Sequence, residues 1–132
     1  MDLALDLARG GKGKVPGRLL VGCVIVDKND KKIGDGFFSK IGGPHAEVEA
    51  LRKAGNKAKG STMYVTLEPH CFQGLTSPCT TAIIKAGIKK VYVAIEDPFP
   101  KIRGRGIEEL RNNGVEVVIG LRKEEAGVVT SC

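Results

Sequence analysis

The sequence predicts an α/β domain built on a mixed five-stranded sheet. Apolar runs of strand length recur between segments of helical period. The first two runs are separated by a short polar turn, Lys28-Asn29-Asp30-Lys31, which makes them an antiparallel hairpin. The later runs are each separated by one helical segment, the pattern of parallel crossovers.

Leu3, Ala4, Leu7 and Ala8 stand at helical spacing before Gly10-Gly11, which predicts a short amphipathic helix over Met1 to Gly10. Val21 to Val26 is a continuous apolar strand, and Lys32 to Phe38 is its hairpin partner. After the loop Gly42-Gly43-Pro44, Ala46, Val48, Ala50 and Leu51 recur at three- and four-residue intervals, so a helix begins at or next to His45 and stops at Gly55. Thr62 to Leu67 is a strand by its β-branched and aromatic content. A loop containing Pro and Gly follows from Pro69 to Pro78, and Cys79 to Ala86 is helical up to Gly87. Lys90 to Ile95 is a strand, Ile107 to Asn112 a helix ended by Gly114, and Val115 to Ile119 the last strand.

A length of 132 residues suits one domain with one core and one active site. Lys and Arg number 21 against 15 Asp and Glu, but they are scattered and interspersed with acids. That distribution describes a solvated basic surface, or one that steers an anionic substrate. No interleaving of aromatic with basic residues and no helix-turn-helix pattern supports a nucleic-acid partner. The first 13 residues carry Asp2, Asp6 and Arg9 without a long apolar run, and no segment approaches the ~20 apolar residues of a membrane span, so a cytoplasmic location is expected. Four cysteines in that setting read as reduced thiols or metal ligands rather than a disulfide framework.

The chemistry concentrates in three short stretches: Pro44-His45-Ala46-Glu47, Glu68-Pro69-His70-Cys71 and Pro78-Cys79. Each places a His or Cys where a loop meets the end of an element. A catalytic zinc site takes three such ligands and keeps a fourth position for water. Residues two apart on a helix point about 200° from one another, so His45 and Glu47 share a site only if the metal lies off the helix N-terminus. Cys79 also opens a helix, and two convergent N-termini favour thiolate over thiol. His45, Cys79 and one of the neighbours His70 and Cys71 are then the candidate metal ligands, and Glu47 is the carboxylate suited to shuttle protons.

Gly-Gly-Pro-His-Ala-Glu-Val, Tyr-Val-Thr-Leu-Glu-Pro, Ser-Pro-Cys-Thr-Thr-Ala-Ile-Ile and Val-Ala-Ile-Glu-Asp-Pro-Phe-Pro together resemble the deaminase domain of bifunctional riboflavin-biosynthesis proteins, within the cytidine-deaminase-like superfamily. The match runs from Leu3 to about Ala126. It implies a three-layer α/β/α sandwich, a zinc cofactor and hydrolytic removal of an exocyclic amine from an aminopyrimidine, the diaminohydroxyphosphoribosylaminopyrimidine of the riboflavin pathway. It also implies a homo-oligomer. Since a reductase domain normally follows in that family and this chain ends first, a stand-alone deaminase or one with a separate reductase is expected. The eight residues between His70 and Cys79 match the longer loop of the riboflavin-type enzymes rather than the Pro-Cys-x-x-Cys of cytidine and tRNA-adenosine deaminases.

The chain departs from the family at several positions. Where relatives carry Glu-Pro-Cys-Cys-His it has Glu-Pro-His-Cys-Phe. At positions that contact substrate in the family, Arg18 replaces an asparagine, Phe38 a histidine, Phe72 a histidine, Leu75 a lysine and Phe99 an asparagine. Arg18 is suited to a phosphate or carboxylate, or to solvent; Phe38, Phe72 and Phe99 are suited to stacking on a flat heterocycle, or to ordinary packing. These exchanges keep two other readings open: deamination of a different nucleobase, nucleoside or aminated heterocycle, and a zinc-binding relative without catalysis.

Overall fold

The structure, a computed structural model, describes residues 1, 4–5, 21–37, 46–69, 79–95 and 104–121. Its strands are β1 (Gly22–Val26), β2 (Lys32–Phe37), β3 (Thr62–Leu67), β4 (Lys90–Ile95) and β5 (Glu116–Ile119). Its helices are α1 (Ala46–Ala54), continued by a 3₁₀ turn over Gly55–Ala58, α2 (Cys79–Ala86) and α3 (Arg105–Asn112). Ala4 and Leu5 are helical and buried, and the Leu5 N–H donates to the Met1 carbonyl at 2.9 Å, in agreement with the expected N-terminal helix.

The sheet is mixed as expected, in the order β2-β1-β3-β4-β5. β1 pairs antiparallel with both β2 and β3, while β3, β4 and β5 run parallel. Asp27 sets the hairpin turn: its carboxylate accepts the N–H groups of Asn29 at 2.8 Å and Lys31 at 3.0 Å, and Asp30 takes the left-handed conformation with φ 62°.

Strand alternation sorts the residues into two faces. Cys23, Val65 and Val93 form one cross-strand row, and Ile25, Met63, Val91 and Val117 the next. All are buried in one cluster with Ala46, Ala50 and Ala54 of α1, Ile83 of α2, and Ile107 and Leu110 of α3. On the other face, Tyr64 and Tyr92 stack with their rings 4.8 Å apart, and Lys90 spans from the Tyr92 ring to the Glu116 carboxylate. Val24, Thr66 and Ala94 of that second face are also buried, so both faces are covered over part of their area, as an α/β/α sandwich requires. Among the described residues no helix is long and apolar enough to cross a membrane.

α1 lies against β2 because that strand presents Gly34 and Gly36 to it. A Cβ on Gly34 would fall on the Ala50 carbonyl oxygen, and one on Gly36 would lie 2.5 Å from that of Ala46. Asp35, on the intervening position, accepts Lys32 at 2.7 Å and Lys53 of α1 at 2.8 Å. These two ammonium groups hold its carboxyl below the ordinary range. A depressed folded-state pKa means stability that is present above the unfolded pKa of ~3.9 and lost as the pH falls through the lower folded value. Asp35→Asn is expected to lower stability by about 1 kcal/mol at pH 7, and denaturant melts at successively lower pH are expected to show that difference shrink as the folded-state carboxylate becomes protonated.

The largest boundary difference is at α3, which begins at Arg105 rather than Ile107, while β1 and β5 each begin one residue later than expected, at Gly22 and Glu116. α1 ends at Ala54, immediately before Gly55 as expected; Gly55 takes a positive φ of 56° and opens a 3₁₀ turn that ends in the buried Ala58.

The topology sets where chemistry can occur. Gly22 pairs with Phe37 and Cys23 with Val65, so the C-terminal ends of β2, β3 and β4 lie at one edge of the sheet. α1, α2 and α3 follow these three strands in turn and all begin at that edge. It is the edge at which open α/β sheets bind ligands.

Candidate active site

Glu47 and Cys79 are brought together by the first turns of α1 and α2, which pack on each other. The two acids of the α1 first turn separate by direction. Glu49 faces solvent, where Arg52 donates to it at 2.6 Å, whereas Glu47 turns inward and is 3% exposed. Cys79 is the first residue of α2 and fully buried. Its thiol donates to the Glu47 carboxylate, and the Glu47 backbone N–H does the same.

Burial dominates the electrostatics. It pushes the Glu47 carboxyl up to about 7, against the opposing pull of those two hydrogen bonds. Cys23, behind it in β1, has a thiol raised well above the ordinary value, first by burial and then by the negative charges of Glu47 and Asp35. Next to Cys79, the Thr80 hydroxyl is fully buried and has no hydrogen-bond partner among the described residues.

The same edge is braced by two side chains that the sequence reading gave no role. The Thr66 hydroxyl accepts the Gly22 N–H at 3.1 Å and ties the start of β1 to the end of β3. Glu68, immediately after β3, accepts the N–H groups of Gly104 and Gly106 at 2.9 Å each and of Ile107 at 3.4 Å.

Of the other candidates, His45, His70, Cys71, Arg18, Phe38, Phe72, Phe99 and Leu75 lie outside the described residues. Among the described residues no group of three or more His, Cys, Asp and Glu is arranged around a metal position. The pair that is described nevertheless suits a divalent cation. A thiol and a carboxyl, both buried and hydrogen-bonded to one another, stand at two helix N-termini; burial destabilises both anions, and a cation beside them reverses that effect. Cysteine sulfur is a favoured zinc donor, so the residues present fit zinc.

A sheet of this order with a buried Glu and Cys at converging helix starts fits the fold and acid–thiol pairing of a cytidine-type deaminase. The family described as the cytidine and deoxycytidylate deaminase zinc-binding region matches residues 1–95, and the chain belongs to it. Within that family it is similar to riboflavin-biosynthesis proteins. The riboflavin biosynthesis protein RibD of Aquifex aeolicus is 54% identical over 126 residues, which is 96% of this chain and 35% of the relative. The diaminohydroxyphosphoribosylamino-pyrimidine deaminase of Buchnera aphidicola is 47% identical over 126 residues, covering 96% of this chain and 85% of the relative. The solved structure of Acinetobacter baumannii RibD superposes with a TM-score of 0.95 at 47% identity, over 98% of this chain and 36% of that one. The chain thus spans about a third of the length of the RibD relatives and most of the length of the Buchnera deaminase. The cytidine-deaminase-like fold expected from the sequence is the fold observed.

Proposed function

We propose that the chain is a zinc-dependent hydrolytic deaminase, a hydrolase acting on the C–N bond of a cyclic amidine, with diaminohydroxyphosphoribosylaminopyrimidine as its substrate. The observation that carries this reading is the buried Glu47 carboxylate, held against Cys79 at the junction of two helix N-termini. The likeness to a relative that bears this activity in its name, and 85% of whose length is covered, supports the choice of substrate.

In this reading zinc is held by His45, Cys79 and either His70 or Cys71. When bound, it supplies the Lewis acidity that makes water nucleophilic near neutral pH. Glu47 does the proton work. Its carboxylate oxygen takes one proton as water adds to the amine-bearing ring carbon and passes it to the amine as the C–N bond breaks, so that ammonia leaves and the water oxygen stays on that carbon as the exocyclic hydroxyl, a tautomer of the carbonyl. Burial keeps bulk water from competing for that proton. The first turns of α1 and α2 place the carboxylate and the thiol side by side, so the proton carrier and one ligand share a rigid frame. Arg18, Phe38, Phe72 and Phe99 form the substrate side, with arginine on the anionic group and the aromatic rings on the heterocycle.

The partners in this reading are a small heterocyclic substrate in the cytoplasm, a second copy of the chain and a reductase that consumes the product.

Ammonia release from zinc-loaded protein tests the function, with the riboflavin-pathway diaminopyrimidine, cytidine, cytosine and guanine as substrates. Release from the diaminopyrimidine in preference to the other three is the expected result. Release only from one of the others would move the substrate and keep the chemistry, and silence with one zinc bound per chain would favour a relative without catalysis.

A further inference from the structure

Helix α3 has no N-terminal cap of its own. Gly104 precedes it with φ 81° and offers no side chain to the orphan amides of the first turn. The cap comes instead from Glu68, 36 residues earlier in the chain. Its carboxylate is 5% exposed and takes Gly104 on Oε1 and Gly106 and Ile107 on Oε2. Bonds of this kind to an ionised acceptor are roughly twice as strong as neutral ones.

The backbone at Glu68 is fixed as well. Its N–H donates to the Ile95 carbonyl at 2.9 Å, which carries the β3–β4 pairing one residue past the strand. The next residue, Pro69, is fully buried, and its carbonyl oxygen occupies the place a Cβ on Gly106 would take. Residues 68 and 69 are therefore tied to β4 through the main chain and to α3 through both a side chain and a close contact. The residue bonded to Pro69 is His70.

We propose that Glu68 is a positioning residue for the metal site: it locks onto β4 and α3 the point from which the chain presents His70, or Cys71, to zinc. The inference rests on the proposed function in one respect, that position 70 or 71 supplies a ligand. Loss of a group hydrogen-bonded directly to a ligand typically costs 10- to 100-fold in metal affinity, and an anchor one residue before the ligand is expected at the lower end of that range. Without Glu68, the chain after Pro69 keeps its sequence while the residues that lead into it lose their side-chain tie to α3. The link between β4, which ends at Ile95, and α3 loses the same anchorage.

The test uses the full chain and compares Glu68→Gln with Ile107→Val. Glutamine keeps the shape but has one acceptor oxygen and one NH₂ group, so at least one of the amides of Gly104 and Gly106 then faces a donor. Ile107→Val removes one buried methylene from the same helix and leaves the cap untouched. Zinc affinity is read by competition with a chelating dye, and amide hydrogen exchange at Gly106 and Ile107 reports whether the cap is broken. The expected result is faster exchange at both amides and zinc binding weakened by about tenfold or more in Glu68→Gln, against a change of about twofold or less in Ile107→Val. Should Glu68→Gln fail to fold, Glu68→Asp, which keeps the charge on a shorter stem, is read in the same way. Fast exchange with wild-type zinc affinity would overturn the proposal, and so would equal weakening in the two variants, because that is what a purely structural role of α3 produces. A wild-type chain that binds no zinc would fail the metal reading itself, a result seen before any variant is compared.

Discussion

Replacing Glu47 by Gln is expected to lower turnover of the diaminopyrimidine by about a thousandfold, within the 10²- to 10⁴-fold range of a lost general acid–base group, while leaving the fold intact. The substitution is nearly isosteric and removes a buried ionisable group from a site whose burial already disfavours the charge. No loss of thermal stability is therefore expected from the change of charge state. Cys79 keeps a hydrogen-bond acceptor in the glutamine oxygen, and none of the proposed ligands is altered, so zinc content is expected to stay at the wild-type level. Ammonia release under saturating substrate, with zinc measured on the same sample, separates the outcomes. A turnover close to wild type with zinc bound would show that protons travel by another route. A low turnover accompanied by lost zinc would instead place Glu47 in the support of the metal.

The fold was largely legible because strand and helix periods were undisturbed. The alternation through Met63, Val65, Val91 and Val93 is the buried row pattern of the sheet, and Cys79 to Ala86 is the helix observed. The N-terminus of α3 was not legible. Gly104-Arg105-Gly106 reads as loop, since it offers no Ser, Thr, Asp or Asn cap, and the group that starts the helix is Glu68, distant in sequence. Local patterns cannot report a cap supplied from another element. The motifs put Glu47 and Cys79 at two helix starts, and the structure packs those helix starts together; the metal and proton-transfer roles of the two side chains belong to the proposal. The bracing by Thr66 was not, because a threonine in a strand has an ordinary reason to be there. What positions a site is often less visible in sequence than what reacts in it.

The largest effect on stability is expected at Gly34. Its partner in β1 is Ile25, and the side on which a Cβ would project is filled by the Ala50 carbonyl oxygen, with the Ala54 N and Cβ 3.1 Å away. The obstruction is helix backbone rather than the end of a flexible side chain, so Gly34→Ala must separate α1 from β2. Overpacking of this kind costs about 1–3 kcal/mol, and a backbone obstruction places it at the upper end, near 3 kcal/mol. Gly60→Ala is the comparator: it has a φ of 76° and open space around the added atom, so it carries conformational strain alone, about 1 kcal/mol. Urea unfolding of the two variants at unchanged slope gives the comparison directly. Gly36→Ala adds a functional consequence. Its Cβ would meet the Ala46 carbonyl oxygen at 2.5 Å and the Glu49 Cβ at 2.7 Å, in the turn that carries Glu47, so turnover is expected to fall together with stability. If Gly34→Ala costs no more than Gly60→Ala, then α1 does not bear directly on β2, and the rigidity assigned to the Glu47 frame must come from its contact with α2.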